Sequence, residues 1–393
     1  MTSTTRTATL APISAAIVAA LVGIAGALAV VLEAARAVGA TPAQTTSWVT
    51  AICLAMGLTS AFLSFRHRMP IITAWSTPGA AVIAASGGAT PIEAAVGAFV
   101  LAGGLIVATG LIAPLERAVA RIPIAVAAGM LAGVLFRFVI QMVEAATTAP
   151  LMVLPLVLLF LVVRPFNPGL SMLAVIGAAL GIATWNGSMA ALPRLQVSEL
   201  VWVAPRFEVA TLIGIGVPLY LVTMASQNLP GAAVLRAAGY PPPLSSALVV
   251  TGGASMLIAP LTGHTVNLAA ITAAICTGPD AHPDPARRWH AGIAYGIVYC
   301  LLAVGGASLV ALFAAFPDAL IKTIAGLGLL GALAGALGAA VGDERNRFAA
   351  VAAFAVTAAG LSAGGIGAAF WGLVAGLAVS GIDSFARRIA ARE

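Results

Sequence analysis

The chain has 393 residues, of which 61% are hydrophobic and only 8% are charged, and its mean hydropathy is +1.06. So few polar residues cannot cover a water-soluble globule, which indicates an integral membrane protein. The net charge of +6 does not predict nucleic-acid binding, because the basic residues separate apolar segments and do not line one face.

The long apolar runs predict an all-α polytopic membrane protein, since about 20 apolar residues in a helix cross the hydrocarbon core. The sequence lacks the short alternating strands that are typical of a membrane barrel. We predict fourteen transmembrane segments. They are residues 12–32, 47–65, 70–86, 92–114, 123–143, 149–163, 168–185, 208–232, 244–258, 260–276, 290–315, 319–341, 347–361 and 365–385.

The basic residues between these segments predict that both termini lie in the cytoplasm. Arg137 and Lys322 fall within spans, and only Arg36, Arg194 and Arg206 fall outside. The cytoplasmic set is Arg6, Arg66, Arg68, Arg117, Arg121, Arg164, Arg236, Arg287, Arg288, Arg345, Arg347, Arg387, Arg388 and Arg392. An odd number of spans would remove this bias, so the span count and the orientation support each other.

The third segment contains the polar stretch ITAWSTPGAA, residues 72–81. Pro78 lacks an N–H and is favoured in the first turn of a helix, and Ser76 or Thr77 can cap that turn. The preceding residues, from Pro70 onwards, suit an extended segment better than a helix. We therefore expect this span to be half extended segment and half helix. Irregular backbone at membrane depth is tolerated only inside protein or beside a cavity.

The eighth segment places three polar residues, Ser226, Gln227 and Asn228, deep in an apolar run. Amides at this depth are costly unless they bond to another helix or to a ligand. One interpretation is hydrogen bonding between helices. A binding or coupling role is the other, and it is favoured because this segment belongs with the interrupted spans.

The tenth segment contains LTGHTVNLAA, residues 261–270, in which Thr265 or Asn267 can cap a second short helix. His264 could titrate near neutral pH, or it could stay neutral and hydrogen-bond the extended segment. When the two motifs are aligned, His264 stands opposite Trp75. Trp75 offers an aromatic wall for a flat ligand.

Fourteen spans divide into seven plus seven, and an odd number per half gives the halves opposite orientations. The predicted repeats are residues 1–200 and 201–393, with one motif in the third span of each. Two helix N-termini facing one position would suit a carboxylate, although two ordinary kinks in spanning helices are the alternative. The predicted substrate-binding residues are Trp75, Ser76, Thr77, Pro78, Gly79, Gln227, Asn228, Gly263, Thr265 and Asn267, and His264 is the candidate for proton coupling.

Three stretches, ITAWSTPGAA, SQNLPGAAVLRAAGY and TGHTVNLAAITAAICTGPDAHPDPARRW, resemble the benzoate:proton symporter family of the BenE type. The resemblance implies a secondary transporter that imports benzoate or a related aromatic acid with a proton across a bacterial inner membrane. The chain is also similar to the wider superfamily of nucleobase and sulfate-type anion transporters. That similarity implies a core domain from spans 1–4 and 8–11 and a gate domain from spans 5–7 and 12–14, and it allows a homodimer.

Gln227 departs from the nucleobase symporters, which carry a protonatable glutamate at the matching position. If proton coupling holds, either His264 or the substrate's own carboxylate must take the proton. The sequence does not decide between these two proton acceptors.

The sequence contains no nucleotide-binding, zinc-binding or nucleophile motif. We therefore expect transport driven by an ion gradient or facilitated diffusion, with no cofactor, no metal and no enzymatic activity. A transporter of a nucleobase or an inorganic anion is the main alternative. A membrane-embedded enzyme is disfavoured by the lack of paired acids at depth, and a non-transporting scaffold by the cost of two polar interruptions.

Overall fold

Most of the chain is helical in the computed structural model, which describes residues 2–86, 90–112, 123–189, 196–361, 363–364 and 366–390. Four arginines used above for orientation lie outside these residues: Arg117, Arg121, Arg194 and Arg392. The helices are α1 (Thr2–Ala37), α2 (Pro42–His67), α3 (Thr77–Ala84), α4 (Ile92–Leu111), α5 (Ile124–Thr148), α6 (Pro150–Val163), α7 (Pro168–Trp185), α8 (Val209–Ala237), α9 (Leu244–Ile258), α10 (Ile271–Thr277), α11 (Trp289–Val304), α12 (Gly306–Ala314), α13 (Asp318–Gly342), α14 (Arg347–Ala358) and α15 (Ala368–Ala390).

Seven helices among the described residues are long and apolar enough to cross a membrane, and two bent pairs of helices raise this number to as many as nine. One bent pair is formed by the two parts of α1. The other is formed by residues Pro285–Val304, which include α11, and by α12. Three further apolar helices, in α6, α7 and α14, are shorter. The prediction of a helical, multi-pass membrane protein is therefore confirmed, whereas the number fourteen stays a prediction.

Two short strands interrupt the helical structure within the third and tenth predicted segments, the first of them where the sequence predicts extended backbone. Strand β1 (Thr73–Trp75) lies just before α3, and strand β2 (Val266–Leu268) lies just before α10. Together they form a two-stranded antiparallel sheet. Each interrupted segment is thus an extended piece followed by a short helix, as predicted.

Pairs of glycines allow four helices to pack closely around these strands. Helix α2 packs against α11, and α4 packs against α9. A Cβ atom added to Gly296 would lie 2.5 Å from the carbonyl oxygen of Gly57, and one added to Gly252 would lie 2.8 Å from that of Gly103. Because only glycine permits such close backbones, these residues fix where the helices cross.

The loop after α10 folds back onto the end of that helix. Arg288 donates from Nη1 to the carbonyl oxygen of Thr277 and from Nε to that of His282, each at 2.8 Å. A cation at a helix C-terminus satisfies a free carbonyl group and favours the helix dipole. This arginine therefore anchors the short helix that follows β2.

We expect Gly296→Ala to lower the melting temperature of the detergent-solubilised protein. Its new Cβ would press on the Gly57 carbonyl and would lie 2.8 Å from the Cβ of Ala61. Overpacking of this kind costs about 1–3 kcal/mol. The matched control is Gly335→Ala on α13, where no neighbouring atom lies within 4 Å of an added Cβ. Equal melting temperatures for the two variants would contradict the glycine crossing.

Candidate functional site

The two strands meet in one register at the centre of the candidate site. Thr73 pairs with Leu268, Ala74 with Asn267, and Trp75 with Val266. The pairing continues past the strands, because Ser76 N donates to Thr265 O at 3.1 Å and Ala269 N donates to Ile72 O at 2.9 Å. Two segments almost two hundred residues apart in the chain are therefore fixed against each other by backbone hydrogen bonds.

The start of α3 follows the prediction. Ser76 is the N-cap, and its Oγ accepts a hydrogen bond from Gly79 N at 3.0 Å. Ala80 N donates to Ser76 O, and Pro78 has no N–H to satisfy. Within the described part of the chain, this leaves the N–H of Thr77 as the group in the first turn without a backbone or cap acceptor.

The second predicted cap is wrong. Thr265 lies before β2 and Asn267 lies within it, while α10 begins at Ile271 and has no side-chain cap. A 3-10 turn at Ala259–Leu261 occupies part of the segment expected to be extended. This turn shifts the strand toward the C-terminus, so the helix starts later and has only seven residues. The two predicted helix N-termini are therefore unequal, and α3 is the longer helix.

His264 joins the two halves through both of its ring nitrogens. Nδ1 accepts a hydrogen bond from Trp48 Nε1 at 2.8 Å, so Nε2 carries the proton and donates to Ser76 O at 3.1 Å. The His264 side chain is fully buried. In the sheet itself, the antiparallel register places Trp75 opposite Val266. The partner of His264 is Trp48, which the sequence analysis missed because it lies in a continuous apolar run.

A chain of hydroxyl groups connects α8 to the same cap. Thr223 Oγ1 donates to Ser76 Oγ at 2.9 Å and lies 3.1 Å from Thr265 Oγ1. All three side chains are fully buried. They hold the start of α3, the residue before β2 and the middle of α8 together.

The polar residues of α8 lie in a π-helical segment, Met224–Asn228. Such wide turns are frequent at functional sites because they redirect side chains. Asn228 Oδ1 accepts a hydrogen bond from Leu268 N at 2.9 Å, so this amide supports β2. Gln227 is half-buried and lines a cavity instead. The two amides predicted together thus have different roles.

A cavity of about 270 Å³ lies beside the paired strands. Four of the predicted site residues line it: Trp75, Thr77, Pro78 and Gln227. The other predicted residues do not line it: Ser76, Gly79, Asn228, Gly263, His264, Thr265 and Asn267. They form the buried support behind the cavity. Gly263 lies against Ile258, and the Asn267 amide donates to Leu268 O, while its Oδ1 has no partner among the described residues.

The rest of the cavity lining consists of residues that the sequence analysis did not select as site residues. Phe160 and Arg164 come from the end of α6, Ser171 from α7, and Leu327–Leu329 from α13. Thr272 of α10 lines the side near β2. No local pattern marks these residues, because only the packing of distant helices brings them to the cavity. The arrangement offers an aromatic wall, apolar surroundings, and polar groups from Thr77, Gln227, Arg164, Ser171 and Thr272, which suits a small flat molecule with a polar end.

Comparisons with known proteins agree with one another. The chain matches the family described as BenE, benzoate membrane transport protein, over residues 6–382. It is 39% identical over 363 residues to Inner membrane protein YdcO of Escherichia coli (strain K12), which covers 92% of this chain and 93% of that protein. It is 34% identical over 364 residues to the Benzoate membrane transport protein of Acinetobacter baylyi, which covers 92% of each.

Two solved structures share the fold. The transmembrane domain of a cyanobacterium bicarbonate transporter, BicA, has a TM-score of 0.62 at 16% identity and covers 93% of this chain and 96% of that chain. SLC26A9 has a TM-score of 0.55 at 11% identity and covers 94% of this chain and 65% of that chain. At such low identities the likeness is one of fold alone.

We expect Trp48→Phe to destabilise the protein. Phenylalanine keeps an aromatic ring near Phe99, whose centroid lies 5.2 Å from that of Trp48, but it removes the donor to His264. A buried acceptor left unpaired costs about 1–3 kcal/mol. The matched control is Trp202→Phe at a residue that is 69% exposed. Melting temperatures measured in detergent should fall for the first variant only, and equal values would contradict the proposed role of this hydrogen bond.

Proposed function

Because the chain belongs to the BenE family of benzoate membrane transport proteins, we propose that it imports benzoate or a related aromatic carboxylate together with a proton. Members of this family are membrane transporters and not enzymes. The transport would be secondary active, by alternating access, across the bacterial inner membrane. The single observation that carries this proposal is the cavity between Trp75, Thr77 and Gln227.

The chemistry of the cavity supports a carboxylate ligand. Thr77 offers its N–H and its hydroxyl group at the start of α3, where the helix dipole also favours negative charge. The half-buried Gln227 offers amide N–H groups from the other half of the chain. Trp75 would pack against the aromatic ring of the ligand. The predicted residues that do not line the cavity would hold these three in position. They are Ser76, Gly79, Asn228, Gly263, His264, Thr265 and Asn267.

We also propose that the chain folds as two inverted repeats of seven spans. The helix packing supports this proposal, because the contacts between the two halves are symmetric: each contact has an equivalent in which the halves exchange roles. With α2, α4, α9 and α11 as spans 2, 4, 9 and 11, the second span of each half packs against the fourth span of the other, and each contact has a glycine pair. The third spans pair with each other through β1 and β2.

The same proposal includes fourteen membrane spans and a cytoplasmic location for both termini. Nine candidate spans, three shorter apolar helices and the two strand-and-helix segments together account for fourteen. The proposed repeats are residues 1–200 and 201–393. An even number of spans keeps the termini on one side of the membrane, in agreement with the arginine distribution.

The cavity is lined from both proposed domains, which supports alternating access. Val22 of α1, Thr77 of α3 and Gln227 of α8 belong to the proposed core, spans 1–4 and 8–11. Phe160 of α6 and Leu327 of α13 belong to the proposed gate, spans 5–7 and 12–14. A substrate between two bodies that move relative to each other can be exposed to each side in turn. The same gate spans are the proposed interface of a homodimer.

Of the two proton carriers that the sequence leaves open, the hydrogen bonds favour the substrate's own carboxylate. His264 does not line the cavity, and a proton on Nδ1 would break its bond to Trp48. A carboxylate that enters with a proton is neutral, which lowers the cost of moving it through the low-dielectric interior.

Purified protein in proteoliposomes should take up radiolabelled benzoate saturably when an inward proton gradient is imposed. Protein-free vesicles must run alongside at alkaline external pH, because protonated benzoic acid crosses bilayers unaided. A competition panel with a nucleobase and bicarbonate separates the alternative substrates. Uptake no faster than in empty vesicles would contradict the proposed function.

Gln227→Ala should raise the KM for benzoate about tenfold, because a hydrogen bond to a charged group contributes about 1.5–3 kcal/mol. The maximal rate should change less, since Gln227 lines the cavity and does not support β2. Gln196→Ala, at an exposed glutamine outside the cavity, is the matched control. An unchanged KM in the first variant would remove Gln227 from the site.

His264→Gln should retain uptake that depends on the proton gradient. A glutamine side chain can accept from Trp48 and donate toward Ser76 O, but it cannot titrate. Accumulation in proteoliposomes should be compared at equal imposed gradients for the wild type and the variant. Uptake that continues but no longer responds to the gradient would make His264 the proton carrier.

A further inference from the structure

Arg164 is one of the residues that line the candidate cavity, together with Thr77 and Gln227. It is the C-cap residue of α6, and its backbone N donates to Phe160 O at 2.9 Å. Its side chain is exposed, whereas Phe160, one turn earlier on the same wall, is only 6% exposed. The lining thus includes buried residues such as Pro78 and one exposed arginine, Arg164, which marks an open side of the cavity.

Arg164 is the one ionised residue among the described residues that line this cavity. It forms no ion pair with any acid in the described part of the chain. Guanidinium groups bind carboxylates through two parallel hydrogen bonds, so an unpaired arginine at an opening selects for this chemical group. The other lining groups provide aromatic, apolar and neutral polar surfaces.

We infer that Arg164 is a specificity-determining residue at the mouth of the cavity, where its guanidinium attracts the carboxylate and holds it before the ligand reaches Thr77 and Gln227. This inference rests on the proposed function, and it adds the residue that recognises the charge. Arg164 follows α6 in the proposed gate, whereas Thr77 and Gln227 belong to the proposed core. A carboxylate between them therefore contacts both proposed domains.

The exposure of Arg164 suits a residue that binds its ligand only transiently. Water screens the attraction between exposed charges, so the pair is weaker than a buried one and the ligand can move on. A screened attraction of this kind also depends on the ionic strength. Salt dependence is therefore the property that separates charge recognition from a purely structural role at the end of α6.

The test measures benzoate binding by titration calorimetry on the full-length protein in detergent, at low and high salt. Arg164→Gln should raise the Kd for benzoate about threefold at low salt, a change within the range of an exposed, screened ion pair. It should also abolish the increase in Kd that the wild type shows at high salt. Arg164→Lys should recover the salt dependence, because the charge is kept, but only part of the affinity, because lysine lacks the two parallel donors of a guanidinium group.

The control variant is Arg236→Gln, which removes one exposed positive charge from α8 outside the cavity. It should bind benzoate like the wild type. Melting temperatures of all variants identify any loss of folding.

Three outcomes would overturn the inference. If the wild type binds benzoate and Arg164→Gln binds it equally well, the inference fails and the proposed function stands. If the affinity of Arg164→Gln falls but its salt dependence persists, or if Arg164→Lys does not restore the salt dependence, Arg164 acts structurally and the inference also fails. If the wild type binds no benzoate in detergent and takes none up in proteoliposomes, the proposed function fails first.

Discussion

Extended backbone inside a membrane protein must find its hydrogen-bond partners within the protein, because hydrocarbon offers none. Strands β1 and β2 are each three residues long, too short to be stable alone, and each satisfies the other. Side chains accept hydrogen bonds from backbone N–H groups that the strand pairing leaves without an acceptor. Asn228 Oδ1 accepts from Leu268 N, and Ser60 Oγ accepts from Thr73 N, each at 2.9 Å. This requirement holds two distant parts of the chain at one place, and the cavity forms beside them.

The buried polar residues that hydrogen-bond to the strands and to the start of α3 support the site and do not line it. His264 and Thr223 both hydrogen-bond Ser76, and Trp48 in turn holds His264. Ser76 caps α3, whose first residue, Thr77, lines the cavity. Such a network is costly if one member is left unpaired, so it specifies one arrangement of the helices. Gln227, which lines the cavity, is not part of this hydrogen-bond network.

Much of this architecture can be predicted from residues whose local chemistry is unambiguous. Pro78 after Ser76 predicts the start of α3, and polar motifs within apolar runs predict both interruptions. The second start was misplaced because a 3-10 turn, which depends on packing, shifts β2 relative to His264. Trp48 and Arg164 were missed for another reason. An apolar span and a helix end give no local sign that tertiary packing will bring their side chains to His264 and to the cavity.

The central claim is that the strand pairing builds a carboxylate site between Trp75, Thr77 and Gln227. Crystals of the protein grown with 4-bromobenzoate test it most directly, because anomalous scattering locates the bromine atom without reference to the protein density. We predict a single bromine peak inside the cavity, with the carboxylate density reaching Thr77 and Gln227. A peak in the apolar surface groove between α2 and α9, or one with no carboxylate contact to Thr77 or Gln227, would contradict the account.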